Sequence, residues 1–261
     1  LGFCAINNHT SSAGVLMHTF WNEIRQTLIP ARDSTHGPLP PLLIAMTLVT
    51  GLVDAFSYLV LGHVFVANMT GNIVFLGFAM AGAPGFSVAA SLVALASFGF
   101  GAGIGGNIGS RLGHHRGRFL STAAAVQTLL LAASVVLAAL SGSPVPTGYR
   151  YSLIVVLGVA MGIQNAGARR LAVPDLTTTV LTLTITGIAA DSTIAGGKGS
   201  LAGRRLTSIA AMLTGALIGA ALVIHVHIAY PLVIALVAMT LVATTTRILG
   251  AANPAWAYTE R

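Results

Sequence analysis

The residues able to do chemistry in this sequence sit inside its apolar runs. Asp54, within GLVDA (Gly51 to Ala55), is the one acidic residue in a long apolar stretch, and a connector leads from it to Asn68, Thr70, Gly71 and Asn72 in ANMTGN. A carboxylate at membrane depth costs at least roughly 2.5 to 3.5 kcal/mol on insertion scales, so it must face a partner or water. Two kinds of role fit: coupling to a proton or cation, or contact with substrate, on one side, and on the other hydrogen bonding to the Asn68 to Asn72 break that holds the fold together. A second polar set follows the same plan. Gln164 and Asn165 lie in GIQNA, and Thr179, Thr182 and Thr184 lie in TTTVLTLT. These are neutral donors for the same cavity, or polar contacts between helices.

No catalytic constellation accompanies them. GxSxG, HExxH and paired intramembrane carboxylates are all absent from the sequence, so an enzyme is not expected. The single cysteine, Cys4, rules out an internal disulfide, and no Cys or His spacing suits a metal. Neither cofactor nor metal is expected. The net charge of +7 comes from short clusters beside apolar runs, which points to membrane topology and away from nucleic acid.

The elements that position these residues follow from composition. Of 261 residues 55% are hydrophobic and 7% charged, with a mean hydropathy of +0.85, which defines an integral membrane protein. Six runs reach the roughly 17 to 25 residues that a spanning helix needs: Pro41 to Gly62, Ser87 to Ser110, Leu120 to Leu140, Tyr151 to Ala168, Leu206 to His225 and Ile228 to Thr246. Two others, Met69 to Ala81 and Thr177 to Ala190, are too short to cross without their polar flanks.

Basic residues choose between six and eight crossings. With six spans and a cytoplasmic N-terminus, Arg150 alone of the thirteen Lys and Arg residues falls outside. Eight spans would also export Arg111, Arg116, Arg118, Arg169 and Arg170. The expectation is therefore an all-α polytopic protein with six transmembrane helices and two re-entrant half-helices. Irregular backbone at that depth survives only where protein or a wet cavity satisfies it.

An internal repeat adds to this. GLVDA leading to MTGN matches GIQNA leading to LTLT, and Gly101 and Gly105 match Gly215 and Gly219 as GxxxG pairs that let helix backbones approach. Gly109 extends the first stripe. Three crossings per copy is odd, so the two copies insert with opposite orientation, the inverted-repeat plan of channels and secondary transporters. The segments read as a polar N-terminal stretch (1–40), repeat 1 (41–145), repeat 2 (146–248) and a C-terminal tail (249–261).

GLVDAFSYLVLGHVFVANMTGNIVFLG, MGIQNAGARRL and TTTVLTLT together resemble the bacterial YoaK family of membrane proteins, domain of unknown function 1275, from about Leu42 to Ile248. In that family the second copy reads close to TGT; here Leu183 stands in the glycine's place. The resemblance implies a multi-span protein of the bacterial inner membrane and supplies no substrate or reaction.

In the N-terminal stretch Leu16, Phe20, Ile24 and Leu28 recur every fourth residue opposite His18, Asn22, Glu23 and Arg25, the pattern of an interfacial helix, although a flexible tail fits equally. His114 and His115 read as a solvated loop cluster, and His225 and His227 as flanks of a turn. Asp175 and Asp191 are expected to pair with nearby arginines. The sequence thus suggests an inner-membrane permease or channel for a small polar solute, with both termini cytoplasmic; the competing reading is a non-transporting scaffold or sensor. Membrane lipids are partners in either case, and the small-residue faces allow a homo-oligomer.

Overall fold

The computed structural model describes residues 9–31, 34–176, 178, 181–192, 196–197, 200–252 and 254–258, with side chains described from residue 17 onward. The elements are α1 (His9–Leu28), α2 (Leu39–Val60), α3 (Met69–Met80), α4 (Val88–Leu112), α5 (Arg116–Ser141), α6 (Thr147–Leu171), α7 (Leu181–Ala190), α8 (Ala202–His225) and α9 (Tyr230–Ala251). A short 3-10 turn, Ala255–Ala257, follows. Among the described residues there is no strand, only one bridge between His115 and Tyr258.

Six of these helices, α2, α4, α5, α6, α8 and α9, are long and apolar enough to cross a membrane, and α3 and α7 are not. Five of them exceed their apolar runs, because helical hydrogen bonding continues into the polar flanks, while α2 keeps the length of its run and starts two residues earlier. Local chemistry marks several ends. Pro40 and Pro41 open α2, where a missing N–H is harmless. The Ser87 hydroxyl accepts from Ala90 N at 3.2 Å at the start of α4. His115 does the same for α5, its Nδ1 accepting from Arg118 N at 3.0 Å. His115 is thus a buried cap, and only His114 is an exposed loop residue. The capping bond overrides the solvated pair expected from the sequence.

α2 and α6 occupy the centre, each with 61% of its apolar window buried against 17–33% for the other four. Those two helices hold Asp54 and Gln164. Glycines set how closely the neighbours approach. α4 packs on α6, and α2 on α8. A Cβ on Gly101 would strike the Val159 carbonyl, one on Gly162 the Phe98 carbonyl, and one on Gly105 would lie 2.8 Å from Ala166 Cβ. Across the other interface, a Cβ on Gly215 would strike the Leu48 carbonyl, one on Gly51 the Met212 carbonyl, and one on Gly219 would lie 3.0 Å from Ala55 Cβ. Gly109 sits against the Arg170 side chain. α5 pairs with α9, α3 rests on α4, and α7 touches α8.

α1 is a helix, but its faces differ from the sequence expectation. Glu23 points into the molecule and accepts from Gly203 N at 2.8 Å, while Met17 and Trp21 are exposed. The start of α8 presents free amides and the positive end of its dipole, which draws the carboxylate in. The side chain of Leu16 lies outside the described residues.

Candidate functional site

The first polar set forms around the end of α2. After Val60 the chain turns at Leu61–Gly62, runs back beside α2, and reaches the level of Asp54 at Ala67, whose N–H donates to Asp54 Oδ1 at 3.0 Å. The amides of Val66 and Asn68 also approach this carboxyl group. Asp54 is 5% exposed, and its Oδ2 is buried without a hydrogen-bond partner. α3 then climbs from Met69. His63 Nδ1 lies 3.0 Å from the Gly85 carbonyl, so the loop after α2 and the loop before α4 meet at the same end of the molecule.

The residues flagged in ANMTGN separate by role. Asn72 is wholly buried and clamps the returning segment: its Oδ1 accepts from Phe65 N at 2.9 Å and its Nδ2 donates to Phe65 O at 2.6 Å. An extended chain inside an apolar bundle needs such a partner for its own polar groups. Gly71 leaves room for the Phe65 ring, which a Cβ would approach to 2.8 Å. Asn68 is half-buried at the start of α3 and its side chain caps no amide there. Thr70 is exposed. Around the clamp, Phe65 stacks on both Tyr58 and Phe75.

The second set is joined to the first through α2. Gln164, 1% exposed on α6, donates to Thr50 Oγ1 at 2.7 Å and to Met46 O at 3.2 Å, and its Oε1 accepts from Gln127 Nε2 at 2.6 Å. Thr50 in turn donates to Met46 O at 3.1 Å. This polar chain bridges α5, α6 and α2 one helical turn from Asp54. Asn165 beside it donates to Met161 O at 2.9 Å and makes a further interaction. On α7, Thr184 is buried and Thr182 exposed; Thr179 lies outside the described residues.

Thr50 and Gln127 were not singled out from sequence. Gln127 is the one amide side chain in the Leu120 to Leu140 run, and that isolation is a usable signal. Threonine gives none, since its hydroxyl commonly satisfies itself on the preceding turn.

Ionic groups gather at the opposite end from His63. Arg205 pairs with Asp175 Oδ1 and with Asp191 Oδ2, each at 2.8 Å, so one guanidinium ties together the chain before and after α7. No group of His, Cys, Asp or Glu among the described residues could hold a metal. His225 and His227 are exposed, and His227 Nδ1 accepts from Ala229 N at 3.2 Å at the start of α9.

Six spanning-length helices, two shorter ones packed against α4 and α8, and a carboxyl buried among backbone amides define an integral, multi-pass, all-helical membrane protein. The chain belongs to the family described as "Protein of unknown function (DUF1275)", whose model matches residues 42–245. It is similar to the UPF0700 transmembrane protein YoaK of Bacillus subtilis (strain 168), 38% identical over 154 residues, which is 58% of this chain and 65% of that relative. The match therefore spans just under two thirds of the relative's length. No solved structure matches.

Proposed function

We propose that this protein is a permease or channel of the bacterial cytoplasmic membrane for a small polar solute, with both termini on the cytoplasmic side. The observation that carries this is Asp54. One of its carboxyl oxygens is buried with no partner, at the point where the chain folds back, one turn from the Thr50, Gln164 and Gln127 chain. An oxygen without a hydrogen bond in a medium where unsatisfied polar groups are costly is one that a proton or cation would stabilise. Read this way, α3 and α7 are re-entrant half-helices, Asp54 binds a proton or cation, and the amide chain offers neutral contacts to solute.

The packing supports an inverted repeat. The spacing that relates Leu48 to Val159 also relates Ala55 to Ala166, and the partner glycines Gly215 and Gly219 take the roles of Gly101 and Gly105. Helices thus exchange partners between the two halves, as in secondary transporters with inverted topology.

The test is flux in proteoliposomes, read by swelling with small non-electrolytes and by an entrapped pH-sensitive dye. Asp54→Asn and Thr50→Val should abolish flux while the melting temperature stays within a few degrees. Equal loss of folding and flux would favour a scaffold. That second reading draws on Asn72, whose amide is wholly occupied in holding Phe65, and on the outward-facing Thr70.

A further inference from the structure

α5 and α9 make a second feature, remote in the fold from Asp54. At the arginine-bearing ends of these helices the facing residues are small: a Cβ on Gly117 would lie 3.3 Å from Gly250 Cα. The result is an open trough of about 840 Å³, within the roughly 300 to 1,000 Å³ typical of ligand sites. Its lining changes character along its length. Arg118 and Arg247, one from each helix, stand at one end with Thr122; Ala125, Val126 and Leu129 continue the wall inward. Leu129 lies three helical turns beyond Arg118, so the apolar part reaches well below the basic end. Both arginines are exposed, and neither guanidinium makes an ion pair or hydrogen bond among the described residues. Two of the nearby hydroxyls are already used: Ser121 donates to Arg118 O and Thr244 to Thr240 O.

We propose that this trough is a binding site for one anionic phospholipid, its phosphodiester held by Arg118 and Arg247 and one acyl chain lying over Ala125, Val126 and Leu129. Two unpaired cations above an apolar wall match an amphiphile with a negative head and a hydrocarbon tail. A free anion would leave the apolar wall uncovered, and a zwitterionic lipid would place its own cation against two others. Arginine suits the task because its planar fork pairs with phosphate oxygens at fixed geometry. The site requires nothing of Asp54 and stands whether or not the protein transports.

The full chain in neutral detergent is titrated with short-chain phosphatidylglycerol, short-chain phosphatidylcholine and free glycerol phosphate, read by thermal shift and native mass spectrometry. Phosphatidylglycerol should bind and stabilise, and the other two should not. Arg118→Ala with Arg247→Ala should weaken that binding about thirtyfold, about fivefold for each arginine. Val126→Trp, which fills the trough and keeps both cations, should weaken it as well, and Arg111→Ala on α4 should leave it unchanged. These variants lie on exposed or half-exposed positions, and an unshifted lipid-free melt shows that each is folded. Equal binding of phosphatidylcholine, an equal response to glycerol phosphate, or full binding in the double arginine variant would overturn the proposal. So would crosslinking of two copies through cysteines at Ala125 and Thr244, since a second chain would then cover the trough.

Discussion

Single side chains in this protein divide into those that hold backbone and those left free to act. Asn72 belongs to the first kind. Asn72→Ala orphans the N–H and C=O of Phe65 inside the bundle, each roughly 1 to 3 kcal/mol. The melting temperature in detergent should fall by roughly 5 to 20 °C. Asp54→Asn keeps the bond from Ala67 N and should melt close to the parent. His36 provides a pH test in the loop before α2. Burial, then the charges of Arg116 and Arg204, hold it below the ordinary 6.5. The folded chain therefore resists a proton that the unfolded chain accepts. Stability present above pH 6.5 is lost as pH falls through that value, and the loss levels off below the depressed folded pKa. Melts between pH 7.5 and 4.5 should show this slope, and His36→Gln should flatten it.

At the scale of elements, two glycines on packed and open faces should respond with opposite sign. A Cβ on Gly162 meets the backbone of Phe98 and Ala102, so Gly162→Ala should lose roughly 1 to 3 kcal/mol or more from overpacking. Nothing lies within 4 Å of a Cβ on Gly103, and Gly103→Ala should gain roughly 0.5 to 1 kcal/mol by limiting the unfolded chain. Differential melting of the two variants reads the contrast directly. Helix existence was legible in the sequence because hydrocarbon thickness leaves few lengths open, and all six spans fall where the apolar runs predict. Asp54 was legible for the same reason: a lone carboxyl in such a run must meet a partner. What the runs could not reveal is which polar groups would be consumed locally. Asn72 and Thr70 are two residues apart and equally polar, yet one faces Phe65 and the other faces outward. His115 looked solvated until the first turn of α5 claimed its ring nitrogen. Glu23 looked solvent-facing because the amides it reaches belong to α8, far along the chain.

For the whole molecule, the side of the membrane on which each loop lies is testable by cysteine labelling after Cys4→Ser. Because His63 touches Gly85, His63→Cys and Pro84→Cys should both react from the outer face, and His114→Cys only from the cytoplasmic face. Labelling of His63→Cys and Pro84→Cys from opposite faces would mean that α3 crosses the bilayer. The arrangement of the bundle also bears on how it is made. α2 rests on α8 and α4 on α6, so the glycine notches of the early helices stay unfilled until the ribosome has delivered the late ones. A chain halted after Ser141 would present those notches to lipid and to the quality-control proteases of the bilayer. Assembly therefore waits on synthesis, and separately expressed halves should persist in cells only when produced together.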